Sequence, residues 1–110
     1  MQLEVTKLKL LEHFPEERLL QDEVFLGKLE AQLEQCQLKL AHAQDKHDSI
    51  REIIVLGPET GVNIAAALEW KEVKEDIVRL NGKSIKLHKE ISELRNKLKR
   101  RKVLREWAQA

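Results

Sequence analysis

From Leu19 to Ile54 the apolar residues return in alternating steps of three and four, at Leu19, Leu26, Leu29, Leu33, Cys36, Leu40, Ala43, Ile50 and Ile54. Asp22 and His47 fill the two polar positions of the same series. A mean step of 3.5 residues keeps returning to one side of an α-helix, so the pattern predicts a long helix with one narrow apolar seam. Pro15 is tolerated at a first helical position, and Glu16 and Glu17 favour the positive end of the helix dipole, which places the start at Pro15. The stop is Leu56-Gly57-Pro58, a glycine suited to a left-handed cap followed by a proline that cannot continue the helix.

A second seam follows a short connector: Ala66, Trp70, Val73, Ile77, Leu80, Ser84, Leu87, Ile91, Leu94 and Leu98. Asn63, or failing it Thr60, is the expected cap of this second helix. Asn81-Gly82 is a turn signal taken alone. The seam keeps its phase through 77, 80, 84 and 87, however, so the expectation is one continuous helix with a local weak spot of about 1 kcal/mol. Residues 2–13 form a shorter and less regular apolar segment, read as a separate short helix. The expected organisation is therefore an N-terminal helical segment (1–14), a long helix (15–56), a connector (57–62) and a second long helix (63–108).

Two long helices joined by a few residues fold back antiparallel most simply. Reflection about Glu59 pairs Ile54 with Ile64, Ile50 with Leu68, Leu40 with Ile77 and Leu19 with Leu98. The fold class expected is all-α: a long antiparallel helical hairpin, or coiled coil, with a short N-terminal helix. A kinked parallel coiled coil is disfavoured because Gly57, Pro58 and Gly61 lie within five residues. A small β-hairpin tip over Ile53–Leu56 and Val62–Ile64, as in prefoldin-like chaperone subunits, would have very short strands. One stripe per helix makes a marginal core. Leu20, Phe25, Leu38, Val78 and Ile85 flank the seams and widen the apolar face, which suits a bundle of three or four helices completed by oligomerisation or a partner.

Composition agrees with helices rather than a compact globule: 35% of residues are charged and 4% aromatic, too few large rings to fill a three-dimensional core. Net charge is +1, but residues 1–55 hold seven Lys/Arg against eleven Asp/Glu and residues 56–110 hold thirteen against eight. Halves of opposite sign attract when folded together. A lone cysteine excludes a disulfide framework. No apolar run has the length of a membrane span or of a signal peptide, so the expected location is intracellular, cytoplasm or nucleus.

No constellation of catalytic residues emerges. Asn81-Gly82-Lys83-Ser84 ends like a phosphate-binding loop, but Ile77 stands where the first glycine of that motif is required. His42 and His47 are five apart, on different helix faces, and His13 and His88 have no ligand-spaced neighbour, so neither a metal nor another cofactor is expected. His47 reads as a polar layer near Trp70, and Cys36 as a small apolar filler. Asp22 is expected to face Arg95 or Lys97 across the hairpin. Seven basic residues, Arg95, Lys97, Lys99, Arg100, Arg101, Lys102 and Arg105, lie within eleven positions without an acid. The run is read as ending the seam after Leu98, as favoured by the helix dipole, and as meeting Glu4, Glu12, Glu16 or Glu17. Val103, Leu104 and Trp107 form a terminal apolar patch, with Trp107 a candidate anchor, that could pack on Leu3, Leu8 and Leu11.

The function these features imply is a non-catalytic protein–protein assembly module: a scaffold, tether or complex subunit without a small-molecule substrate. Its partner would be a second copy or another coiled-coil protein. The seam residues Leu26, Leu29, Leu33, Cys36, Leu40, Ile50, Ile54, Trp70, Val73, Ile77, Leu80, Leu87, Ile91, Leu94 and Leu98 are the expected interface. The alternative is docking to nucleic acid or anionic membrane through 95–105. No aromatics interleave with these cations to stack on bases.

Overall fold

A computed structural model describes residues 2–57 and 61–110, with the side chains of 61–63 left aside. The described residues form three helices: α1 (Gln2–His13), α2 (Glu16–Leu56) and α3 (Gly61–Gln109). Among the described residues there is no strand. Ile53–Leu56 is the last turn of α2, and residues 62–64 lie in the first turn of α3, so no β-hairpin tip forms. Among the described residues no helix is long and apolar enough to cross a membrane.

The helix ends differ from expectation by one or two residues. Pro15 precedes α2 rather than opening it: its carbonyl accepts the amides of Arg18 at 3.1 Å and Leu19 at 3.2 Å, which makes Pro15 the cap residue. Glu16 and Glu17 then lie in the first turn. Gly57 does not take the left-handed cap conformation, since none of the described glycines has positive φ. Its amide donates to the Ile53 carbonyl at 3.0 Å, as a further helical bond. α3 begins at Gly61, so Asn63 sits inside the first turn instead of capping it. The alternative cap, Thr60, lies outside the described residues, as do Pro58 and Glu59.

Two compact units are present, Met1–Ala31 with Leu87–Ala110, and Gln32–Lys86. In the second, the seams of α2 and α3 meet. Cys36, Ile50, Val73 and Leu80 are buried, and Leu33, Leu40, Ile54, Trp70 and Ile77 are half-buried. The contacts pair rising numbers on α2 with falling numbers on α3: the Cys36 thiol donates to the Leu80 carbonyl at 3.4 Å, and His47 stacks on Trp70 with ring centroids 5.1 Å apart. Ile64 and Leu68, paired by reflection with Ile54 and Ile50, are exposed. They stand off the 3-and-4 series that Ala66 and Trp70 occupy, and the seam, not the reflection, decides what is buried.

The first unit combines α1 with the start of α2 and the end of α3. Leu19, Leu29, Leu87, Ile91, Leu98 and Ala108 are buried there. Each of these Leu and Ile side chains contributes about 1.5–3 kcal/mol on leaving water, and Ala108 less. α1 has no buried residue; Leu10 and Leu11, with Phe14 just beyond its end, are half-buried.

Both helix-interior glycines, Gly27 and Gly82, face open space: a Cβ at either position would meet nothing within 4 Å. Glycine inside a helix costs about 1 kcal/mol relative to alanine. Gly82→Ala is therefore expected to raise stability by about 0.5–1 kcal/mol, read as a higher midpoint in urea unfolding.

Candidate functional site: the basic end of α3 and the outward apolar faces

The basic run lies inside α3, and the helix continues through it to Gln109. The seam continues as well: Arg101, Leu104 and Arg105 are half-buried and Ala108 is buried. Seam spacing from Leu98 leads to 101, 105 and 108, so two arginines occupy core-facing positions instead of ending the pattern. The last turn of α3 holds no basic residue. The helix-dipole account of the run fails on that ground, because the effect is confined to the final turn.

Four of the seven cations are engaged within the unit. Arg101 Nη1 donates to Asp22 Oδ2 at 2.7 Å, with the two side chains only 23% and 27% exposed. Arg95 pairs with Glu30 at 2.9 Å, and Lys102 pairs with Glu23. Arg105 Nη1 donates to the Phe14 carbonyl at 2.6 Å, and so holds the end of α1 against α3. Asp22 thus faces Arg101, not Arg95 or Lys97. The acids engaged are Asp22, Glu23 and Glu30, not those at 4, 12, 16 and 17. The acids that satisfy the run lie on α2 because its seam and the seam of α3 face each other here, and a pair beside a seam follows the register of the two helices. Lys97, Lys99 and Arg100 are exposed.

The terminal apolar patch does not close as a single cluster. Leu104 and Leu11 are half-buried, but Val103, Leu3 and Leu8 are exposed. Trp107 is 41% exposed, with Lys7 Nζ 5.3 Å from its ring centroid. A cation over an indole face at an exposed position is worth about 0.5–1 kcal/mol, which makes this a weak tether for α1.

In the second unit His47, Trp70 and Lys74 form a polar layer. Lys74 Nζ lies 3.5 Å from the Trp70 ring centroid, and His47 Nδ1 lies 3.1 Å from Asp48 Oδ1. Lys46 and Glu69 pair beside it at 3.0 Å. The Trp70 indole N–H is buried and has no acceptor among the described residues. Asn81-Gly82-Lys83-Ser84 is continuous helix, without the strand and loop that a phosphate cradle needs. Among the described residues no three His, Cys, Asp or Glu side chains gather where they could hold a metal ion.

The seam residues offered by the sequence as a partner interface face inward: Leu29, Cys36, Ile50, Val73, Leu80, Leu87, Ile91 and Leu98 are buried, and Leu26, Leu33, Leu40, Ile54, Trp70, Ile77 and Leu94 half-buried. Other large apolar side chains are open to solvent, among them a group along the long helices. Leu20, Val24 and Phe25 lie in the first unit, and Leu38, Val78 and Ile85 in the second, all more than half exposed. Val24 was missed at the level of sequence because it lies on the back of α2, half a turn from the seam. Compared with protein-family models, with curated proteins and with solved structures, the chain matches none of them.

Proposed function

We propose that this chain is a non-catalytic assembly module, built as an antiparallel coiled-coil hairpin with α1 added at its open end, that joins a second copy or another helical protein. The observation that carries this reading is the outward apolar set. Side chains such as Leu20, Val24, Leu38, Val78 and Ile85 are exposed although the seams already supply the core. Exposed apolar side chains that adjoin on one helix face, as Leu20 and Val24 do one turn apart, mark an interaction surface. The opposed order of contacts within each unit and the 3-and-4 seams support the coiled-coil description.

Docking to nucleic acid or anionic membrane through 95–105 has less support. Arg95, Arg101 and Lys102 are matched by carboxylates and Arg105 by a carbonyl, which leaves fewer cations for phosphates. The test is the solution mass by light scattering at low and high salt. A mass of two or more chains that salt does not lower supports assembly through apolar faces. A 12.8 kDa monomer that binds duplex DNA or anionic vesicles, with affinity falling steeply as salt rises, would transfer the function to the basic run.

A further inference from the structure

α1 meets the rest of the first unit without burying a residue. Lys7, Leu10 and Leu11 are half-buried, as is Phe14 at the junction with α2, while Leu3, Val5 and Leu8 stay open to solvent. Among the described residues no ion pair joins α1 to α2 or α3. Three cations reach across the contact. Arg105 Nη1 donates to the Phe14 carbonyl at 2.6 Å, Lys7 Nζ lies 5.3 Å from the Trp107 ring centroid, and Arg101 Cζ lies 5.5 Å from that of Phe14. α2 does not need α1 for its start, because the Pro15 carbonyl already accepts the amides of Arg18 and Leu19. Phe14 belongs to the other side of that junction, its amide donating to the Leu10 carbonyl. The Phe14–Pro15 link is therefore a joint between two helices that each satisfy their own backbone there.

We propose that α1 is a strap that opens as a unit while α2 and α3 stay paired, with Arg105 as its latch. This goes beyond the assembly reading and does not depend on it. The last carbonyls of a helix have no partner within it, and a cation beside them also meets the negative end of the helix dipole. Arg105 supplies both at Phe14. An isolated helix shorter than about 12–15 residues is marginal in water, so α1, at 12 residues, loses its helix when it leaves. Segments with few buried apolar contacts open at a cost well below that of global unfolding. The seam of α3 is the contrary case, with Leu87, Ile91 and Leu98 buried. Opening frees Arg105 from the Phe14 carbonyl and Trp107 from Lys7. It also bares Leu104, half-buried and one turn from both Arg101 and Trp107. Arg101 keeps its carboxylate partner, since Asp22 lies on α2. The strap thus sets whether Leu104, Arg105 and Trp107 are open to a partner beside the exposed Val103.

Hydrogen exchange of the full chain, followed by mass spectrometry at a series of low urea concentrations, tests it. Relative to their intrinsic rates, amides of residues 6–14 are expected to exchange about a hundredfold faster than those of residues 87–98, and with little dependence on urea, because a local opening exposes little surface. Arg105→Gln should speed exchange of residues 6–14 by about tenfold or more, and Lys7→Gln by about two- to fivefold. Arg105→Lys, which keeps a cation for the carbonyl, should restore part of the protection. Residues 87–98 should exchange as in the parent throughout. Equal protection and equal urea dependence of the two segments in the parent overturns the strap, since α1 then unfolds only with the whole unit. Exchange of residues 6–14 that neither substitution changes overturns the latch. If Arg105→Gln loosens both segments together, Lys7→Gln decides, because Lys7 lies outside the seams. Loosening confined to residues 6–14 in that protein sustains the strap, and loosening of both segments overturns it.

Discussion

Leu87→Asp is expected to abolish cooperative folding. Leu87 is 6% exposed and sits in the seam of α3 within the first unit. The substitution removes an apolar side chain whose loss from a core costs about 2–5 kcal/mol. It also puts a carboxylate where water is excluded, a further cost of several kcal/mol unless the group is protonated or the helix opens. Small domains have total stabilities of about 5–15 kcal/mol, so the combined effect takes most or all of it. Far-UV circular dichroism with thermal melting reads the outcome as a large loss of helical signal and of the transition. Leu33→Asp, at a half-buried seam position, should be milder. A Leu87→Asp protein as helical and as cooperative as the parent would mean that the seam is not the core.

Arg101→Glu comes second in size, and it separates cations that look alike in the sequence. Lys99 is exposed, and Lys99→Glu should change stability by no more than about 0.5 kcal/mol, the usual range for a surface site. Arg101 is different, because its guanidinium holds Asp22 at 2.7 Å with both side chains about three-quarters buried. Its Cζ also lies 5.5 Å from the Phe14 ring centroid. Reversal sets two carboxylates against each other in a partly dry site and leaves Asp22 without its donor. The expected loss is about 2–4 kcal/mol, below that of a fully buried pair because water still reaches the site. Urea unfolding of the two variants side by side measures it. Equal midpoints would show that the Asp22–Arg101 pair contributes nothing to the fold. Asp22→Asn with Arg101→Gln should recover part of the loss, since a neutral pair keeps a hydrogen bond and removes the repulsion.

Much of the architecture was legible in the residues alone. The seam series between Leu19 and Ile54 matches the burial seen along α2, down to the half-buried Asp22 and His47. The stacking of His47 on Trp70 follows from both residues occupying the same seams. Asn81-Gly82 did not break α3, because apolar residues on both sides hold the helix in one phase. The flanking residues Leu20, Phe25, Leu38, Val78 and Ile85 stand out in the sequence as excess apolar surface.

The candidate site was less legible. Four consecutive cations, Lys99–Lys102, look like a solvated run because charge conceals position. Seam phase alone could have singled out Arg101, since it is the next member after Leu98. It was passed over because an arginine is not counted as core. Yet its long apolar stem can lie in a seam while its head finds a carboxylate at the edge.

What the sequence determined by itself is local: helix extent and the inward stripe both follow from a 3.5-residue period and a few helix-stopping residues, which act over one or two turns. What only the tertiary structure decided is which acid meets which base, that α1 packs without burying a residue, and which apolar side chains remain outside. Those depend on register and on the docking of a third helix. A repeating seam leaves register open, because sliding one helix by a heptad presents another apolar position to the same partner. The choice among registers is then made by residues far apart in the chain, such as Asp22 with Arg101, Glu30 with Arg95 and Cys36 with Leu80, whose fit exists only once the helices are side by side.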